Sequence, residues 1–127
     1  MHRMAHLPAL YRRVHLVHHL SKNPSPWASL AFQPAEAILE VIWILPIHAL
    51  VPIEAKIWIT FAMIIIAINV LGHLGVEIYP DRWRKNPFLK WLNFSTMHND
   101  HHHYIHGNYG SYFSFWDRIM GTLQKAY

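Results

Sequence analysis

The sequence predicts an all-α fold in which a membrane helical hairpin carries a histidine-rich helical cap on the cytoplasmic side. Three observations predict it. Two apolar runs fill residues 35–72, almost all basic residues lie outside those runs, and histidines recur three and four positions apart on both sides of them. The chain has 127 residues, the size of one domain. We therefore expect a single domain, residues 1–127, with histidine-rich parts at 1–34 and 73–127.

The first part, residues 1–34, is basic and rich in histidine, and the prolines at 24 and 26 stop any helix near its end. Its histidines form an H-x-x-x-H pair and an H-x-x-H-H triplet, which are His2 and His6, then His15, His18 and His19. Residues three or four apart share one face of a helix. We therefore expect the three imidazoles of the triplet to project to one side.

The middle part consists of the runs AEAILEVIWILPIHALV and AKIWITFAMIIIAINVLG, joined around residues 52–54. The uncharged residues 57–71 cover about 22 Å as a helix, against a hydrocarbon thickness of about 30 Å, and flanking Ala and Trp residues extend both runs. A soluble helical core is the alternative. Residues 64–68 are apolar on all sides of a helix in a chain too small to cover them, which favours the membrane hairpin. Pro46 is expected to kink the first run.

The basic residues indicate how the hairpin is oriented. Ten of the eleven Lys and Arg residues lie before residue 23 or after residue 81, and only Lys56 lies between. This distribution is typical of a membrane protein whose flanks stay in the cytoplasm, so we expect both termini and the histidine clusters there. The net charge is +4, but no basic stripe with exposed aromatic residues is visible, which argues against nucleic-acid binding.

The last part, residues 73–127, repeats the metal-ligand spacing. His73 and Glu77 are four apart just after the second apolar run, and a second H-x-x-H-H triplet follows at His98, His101 and His102. The chain has no cysteine, so nitrogen and oxygen must hold any metal. Nine histidines exceed the needs of one ion and suit two ions with four or five ligands each. Imidazole spacing alone leaves iron, zinc, copper and nickel open.

The motifs HRMAH, HLVHH, GHLGVE and HNDHH, with Asn108–Gly110 and the stretch FWDRIMGT, resemble the fatty acid hydroxylase/sterol desaturase superfamily over nearly the whole chain. The resemblance implies an integral membrane enzyme with a histidine-held di-iron centre on the cytoplasmic side. Such enzymes use dioxygen and two electrons to hydroxylate or desaturate a lipid. The implied ligands are His2, His6, His15, His18, His19, His73, His98, His101 and His102.

Further expectations concern residues around those ligands. The triplet could also be read as Asn99, His102 and His103, but asparagine is a poor ligand and the distance to Asn108 favours His98. Glu77, Asp100 and His103 are therefore candidates for orienting the ligands by accepting or relaying a hydrogen bond. His48 is expected to form a hydrogen bond inside the hairpin, and His106 to be solvated or structural.

Two expectations concern the tail. Asp117 and Arg118 are expected to form a structural ion pair. The aromatic cluster of the tail is expected to line a lipid entry, to lie at the membrane interface or to pack in the core; it comprises Tyr109, Tyr112, Phe113, Phe115 and Trp116.

The resemblance also implies partners, namely a lipid substrate, a membrane, and a separate electron donor of the cytochrome b5 or ferredoxin type. Bound zinc in place of the two iron ions stays open. Members of the superfamily usually carry two further transmembrane helices before the first histidine pair, whereas this sequence starts at Met1-His2. A trimmed enzyme, a homo-oligomer that rebuilds the missing wall, and a non-catalytic or truncated metal-binding membrane protein are the three interpretations.

Overall fold

A computed structural model describes residues 1–124, and within them the fold is all-α, as predicted. Three short 3-10 helices supplement the α-helices, at His18–Leu20, Pro26–Leu30 and Leu89–Trp91. The only β pairing among the described residues is an isolated bridge between Leu92 and Phe113. The α-helices are α1 His2–Ala5, α2 Pro8–Val14, α3 Pro34–Val41, α4 Ile44–Leu50, α5 Ala55–Gly72, α6 Arg82–Lys85, α7 Ser95–Tyr104 and α8 Phe115–Ile119.

Helix α5 is the dominant element. Its 18 residues span about 27 Å, with a mean hydropathy of 2.0 and none of that window buried within the chain. It is the one helix in residues 1–124 long and apolar enough to cross a membrane. An apolar surface of this size, left uncovered by its own chain, requires another apolar environment.

The first arm of the predicted hairpin is two short helices rather than one. Helix α3 ends at Val41 and α4 begins at Ile44, so the helical pattern is interrupted at residues 42 and 43. Pro46 explains the position of this break. It has no N–H to offer the carbonyl of Ile42, four residues earlier, and its ring crowds that carbonyl. The helix is thus interrupted one turn before the proline at which a kink was expected.

Aromatic contacts hold α4 and its N-terminal flank against α5. The ring centroid of Trp43 lies 6.4 Å from that of Trp58 and 6.2 Å from that of Phe61. The Nε1–H group of Trp58 donates a hydrogen bond to Nδ1 of His48 at 3.3 Å. His48 thus bonds within the hairpin, as predicted, and is not part of a histidine cluster.

The C-terminal end of α5 is tied to the histidine-rich parts by hydrogen bonds. Asn69 donates through Nδ2 to the carbonyl of Ser29 at 2.9 Å, and the Ser95 hydroxyl donates to the carbonyl of Leu71 at 2.7 Å. The first bond fixes the 3-10 helix Pro26–Leu30, and the second fixes the start of α7. Both bonds attach the histidine-rich cap to the C-terminal end of the apolar helix.

The tail closes through Asp117, but without the predicted ion pair. Asp117 accepts hydrogen bonds from the backbone N–H groups of Tyr109 at 2.9 Å and Gly110 at 2.7 Å, and from the Thr122 hydroxyl at 2.7 Å. Arg118 instead donates to the Ser114 hydroxyl and to the carbonyl of Lys90. Adjacent helical residues point about 100° apart, which separates the two charges and corrects the expectation.

The interior of the cap is polar, which inverts the usual arrangement. Among the described residues, the side chains less than 2% exposed are all polar and five of them are histidines, whereas few large apolar side chains are buried. Buried polar groups are costly unless they are partnered. The groups that contact these buried histidines therefore indicate the role of the cap.

Candidate metal centre

The fold brings all nine predicted histidines together in two groups. Within each group, one ligand-capable nitrogen per residue lies within 4.8 Å of all the others. We call them the five-histidine group and the four-histidine group. The first contains His2, His6, His15, His19 and His101, and the second contains His18, His73, His98 and His102.

The H-x-x-H-H triplets are divided between the groups, which corrects the expectation that each projects to one side of a helix. Helix α2 ends at Val14, and His18 lies in a 3-10 helix, so the first triplet does not share one α-helical face. His15 and His19 therefore enter the five-histidine group, whereas His18 enters the other.

In the second triplet, all three residues lie on α7. Viewed along the helix axis, the side chain of His101 is rotated to one side of that of His98, and the side chain of His102 is rotated to the other side. His98 and His102 enter the four-histidine group, and His101 enters the five-histidine group. Each triplet thus serves both groups.

Backbone carbonyls fix the tautomers of four of these imidazoles. A carbonyl can only accept, so an Nδ1 that contacts one carries the hydrogen and leaves the Nε2 lone pair free. These Nδ1 contacts are His2 to Tyr109 at 2.8 Å, His73 to Asn69 at 2.7 Å, His101 to Gly107 at 2.7 Å and His102 to Ser21 at 3.0 Å.

The free Nε2 atoms then converge on one another. Nε2 of His73 lies 3.2 Å from Nε2 of His102, and since both carry lone pairs, no hydrogen bond joins them. Nε2 of His2 lies 2.8 Å from Nε2 of His15 in the five-histidine group. Nε2 of His101 is buried without any hydrogen-bond partner among the described residues. Nitrogens that ligate one ion at about 2.0–2.1 Å lie about 3 Å apart, so both groups fit a metal ion.

Burial keeps these imidazoles uncharged near neutral pH. Desolvation is the main cause that lowers the pKa of His15 to about 4, of His2 and His102 to about 3, and of His18 to about 2. Neighbouring imidazoles lower the pKa of His98 further, after desolvation. Neutral imidazole is the form that binds metal, so no proton has to leave these side chains at pH 7.

The sequence did not reveal one residue of the site, Glu36. Its side chain is 4% exposed, and its Oε1 accepts a hydrogen bond from Nδ1 of His15 at 2.5 Å. The available signal was a carboxylate in the first turn of an apolar helix, with no Lys or Arg at helical spacing to pair with it.

The other residues expected to orient ligands have different partners. The carboxylate of Glu77 accepts from the Arg84 guanidinium, from the Thr96 hydroxyl and from three backbone N–H groups, so both oxygens are engaged away from the imidazoles. Asp100 is half-buried and His103 is exposed. Within residues 1–124, none of these three predicted residues hydrogen-bonds an imidazole of the two groups. His106 is exposed and outside both, as expected.

A small polar cavity of about 20 Å³ lies between the two groups. Its volume is about that needed for one water molecule. Side chains of both groups line it, together with Glu36, Glu40, Ser29 and Asn69; the histidines are His2, His15, His18, His73 and His98.

A much larger apolar groove of about 1480 Å³ also reaches His2. Residues of the hairpin arms form one wall, among them Trp43 and Phe61. The aromatic cluster of the tail forms another: Phe113 and Trp116 are 59% and 62% exposed, whereas Tyr109 is half-buried and packs against the rings of His6 and His101. The groove thus joins the apolar hairpin to the edge of the five-histidine group.

Residues 1–122 match the family model described as fatty acid hydroxylase. Lathosterol oxidase of Homo sapiens is 32% identical over 98% of this chain and 40% of its own length, and that of Mus musculus is 34% identical over the same shares. A Delta(7)-sterol 5(6)-desaturase of Aspergillus fumigatus is 33% identical over 98% of this chain and 35% of its own length. The chain therefore spans about two fifths of the length of these relatives. No solved structure significantly matches the chain.

Proposed function

This chain belongs to the fatty acid hydroxylase family, and on that premise we propose that it forms the metal-binding part of a non-haem di-iron, dioxygen-dependent hydroxylase or desaturase acting on a lipid. The observation that carries the proposal is the convergence of nine imidazoles in two groups, with Nε2 atoms of neighbouring rings 2.8–3.2 Å apart. Where both Nε2 atoms carry lone pairs, as in His73 and His102, they repel each other at that distance unless a cation lies between them.

In this proposal each group holds one iron ion. The two ions would supply the oxidation of a C–H bond by dioxygen, and the protein supplies the ligands, their orientation and the exclusion of water. Backbone carbonyls hold Nδ1 of His2, His73, His101 and His102, so Nε2 of each would be the atom that binds the ion. Imidazole also binds zinc, so occupancy by zinc after purification is an alternative that metal analysis distinguishes.

The apolar groove supports a lipid as the substrate. It reaches His2 from the hairpin side, so an acyl or sterol skeleton lying along Trp43 and Phe61 would present a carbon at the metal groups. Relatives that match over 98% of this chain carry sterol names, among them lathosterol oxidase and Delta(7)-sterol 5(6)-desaturase. We propose a fatty acyl or sterol-like substrate on these grounds.

The proposed setting is a membrane. Helix α5 and the broken arm α3–α4 would enter the bilayer, with the histidine groups and the basic flanks on the cytoplasmic side. We propose a separate donor of the cytochrome b5 or ferredoxin type as the source of the two electrons, as the family resemblance implies.

Metal stoichiometry tests this proposal. The full chain, purified in detergent and stripped of metal, is loaded anaerobically with ferrous iron and then given oxygen and a reductant. We expect two irons per chain and oxygen uptake that depends on the reductant. One iron or none contradicts a dinuclear site. Two irons without oxygen uptake would instead support a non-catalytic metal-binding protein of the same fold.

A further inference from the structure

We propose that Glu36 is a positioning residue that holds His15 in the five-histidine group through one carboxylate oxygen and a water molecule between the two groups through the other. This inference rests on the proposed metal centre. Among the described residues, Glu36 is the carboxylate that hydrogen-bonds an imidazole of the two groups.

The carboxylate of Glu36 contacts the imidazole of His15. Nδ1 of His15 lies 2.5 Å from Oε1 of Glu36, shorter than any of the four contacts between an Nδ1 and a backbone carbonyl. Burial raises the pKa of Glu36 to about 7. When Glu36 is ionised, a hydrogen bond to its carboxylate is charge-assisted and roughly twice as strong as one to a neutral acceptor. It fixes the ring orientation and makes the opposite nitrogen a stronger ligand. His15 is therefore distinguished from the other imidazoles by its partner.

The backbone at the start of α3 fixes the position of Glu36. Pro34 and Gln33 begin α3, and the N–H of Glu36 donates to the carbonyl of Gln33 at 2.9 Å, which fixes the first turn. The side chain is 4% exposed, and no Lys or Arg among the described residues pairs with it. His15 is the one described side chain that hydrogen-bonds the carboxylate of Glu36.

The second carboxylate oxygen of Glu36 has a different environment. Oε2 of Glu36 is buried and has no hydrogen-bond partner within residues 1–124, although an unpartnered buried carboxylate oxygen is costly. Glu36 also lines the cavity of about 20 Å³ that both histidine groups share. A water molecule fits that volume and can donate to Oε2. The geometry thus assigns one oxygen to the ligand and the other to the cavity.

Cobalt titration of the metal-free chain tests the role of Glu36. Four-coordinate Co²⁺ absorbs visible light more strongly than five-coordinate Co²⁺, so the two groups are followed separately. In Glu36→Gln we expect binding at the five-histidine group to weaken by about 10- to 100-fold, and binding at the four-histidine group to be unchanged. Glu54→Gln removes the same charge from an exposed site and should bind as the wild type does.

The outcomes separate the two proposals. Fewer than two cobalt ions in the wild-type protein would refute the dinuclear centre itself. Two ions with equal affinities in wild type and Glu36→Gln would refute the role of Glu36 alone. Equal weakening of both groups would also overturn it, since it indicates a general structural effect. The unchanged four-histidine group is thus an internal control for folding.

A second measurement needs no variant. In zinc-loaded wild-type protein labelled with 15N-histidine, the Nδ1 proton of His15 should resonate farthest downfield among the imidazole protons. The reason is that its acceptor is a carboxylate rather than a carbonyl. A His15 signal among those of His2, His73, His101 and His102 would contradict the inferred hydrogen bond.

Discussion

Consecutive histidines on α7 have three different environments. His101 and His102 are both 0% exposed, but they belong to different groups, whereas His103 is exposed and its ring contacts Tyr104. The 100° rotation per residue of an α-helix accounts for the alternation. Three adjacent residues of one type therefore form a natural set of matched variants.

We expect alanine at each of these positions to have a distinct effect on metal content. His102→Ala leaves the four-histidine group with three ligands, so one of the two ions should be lost or bound much more weakly. His101→Ala leaves the five-histidine group with four, so its ion should bind more weakly but remain. His103→Ala should retain two ions with unchanged affinities. Metal analysis after dialysis against a weak chelator measures all three.

Identical losses in His101→Ala and His102→Ala would contradict the separation into two groups. A loss in His103→Ala would show instead that the ligand register is Asn99, His102 and His103. The same three proteins thus test both the grouping and the register.

At the scale of elements, α5 and the cap have opposite polarity. None of the residues of α5 is buried, and the side chains of its middle turns are large and aliphatic. The cap at its C-terminal end buries histidine, serine, asparagine and aspartate instead. Because the polar bonds from Asn69 and Ser95 join the two, the polarity changes within about one turn of the helix end.

Arginine placed along α5 distinguishes a membrane helix from a solvated one. Ile57 and Ile64 are both 53% exposed, the first near the start of α5 and the second near its centre. In a bilayer, Ile64→Arg should cost about 2.5–3.5 kcal/mol of insertion free energy, and Ile57→Arg much less, since it can reach the interface. The fraction inserted, measured by glycosylation mapping in microsomes, should fall for Ile64→Arg alone.

The opposite result has an equally clear meaning. If α5 lies in water, both arginines remove exposed apolar surface, and both variants should be more soluble without detergent than the wild-type protein. Such an outcome would restore the soluble helical core as the interpretation of this segment.

At the scale of the whole molecule, the sequence predicted the elements better than their mutual arrangement. Composition and periodicity were sufficient for the all-α class, the apolar helix and the nine histidines. The division of those histidines depends on where α2 ends and on a 3-10 turn at His18, which spacing alone does not specify. Glu36 was missed because its partner His15 lies 21 positions away, and the Asp117–Arg118 pair was wrong because adjacent helical residues diverge.

Burial of so many neutral imidazoles makes the metal-free protein sensitive to acid. In the folded chain the pKa is about 4 for His15, about 3 for His102 and about 2 for His18, whereas the ordinary value is 6.5. Between these values the unfolded chain binds more protons than the folded chain. The free energy of unfolding therefore falls as the pH drops below about 6.5 and is fully retained above it.

As the pH falls through that window, we expect each of these three histidines to reduce the free energy of unfolding by about 1.4 kcal/mol per pH unit. Denaturant titrations of the metal-free protein in detergent at pH 7.5, 6 and 5 measure the slope. Bound metal should move the loss to lower pH, because protons must then displace the ion as well. A free energy of unfolding that stays constant from pH 7.5 to 5 would mean that these imidazoles are solvated, and the two groups could not be the closed interior on which the proposed metal centre depends.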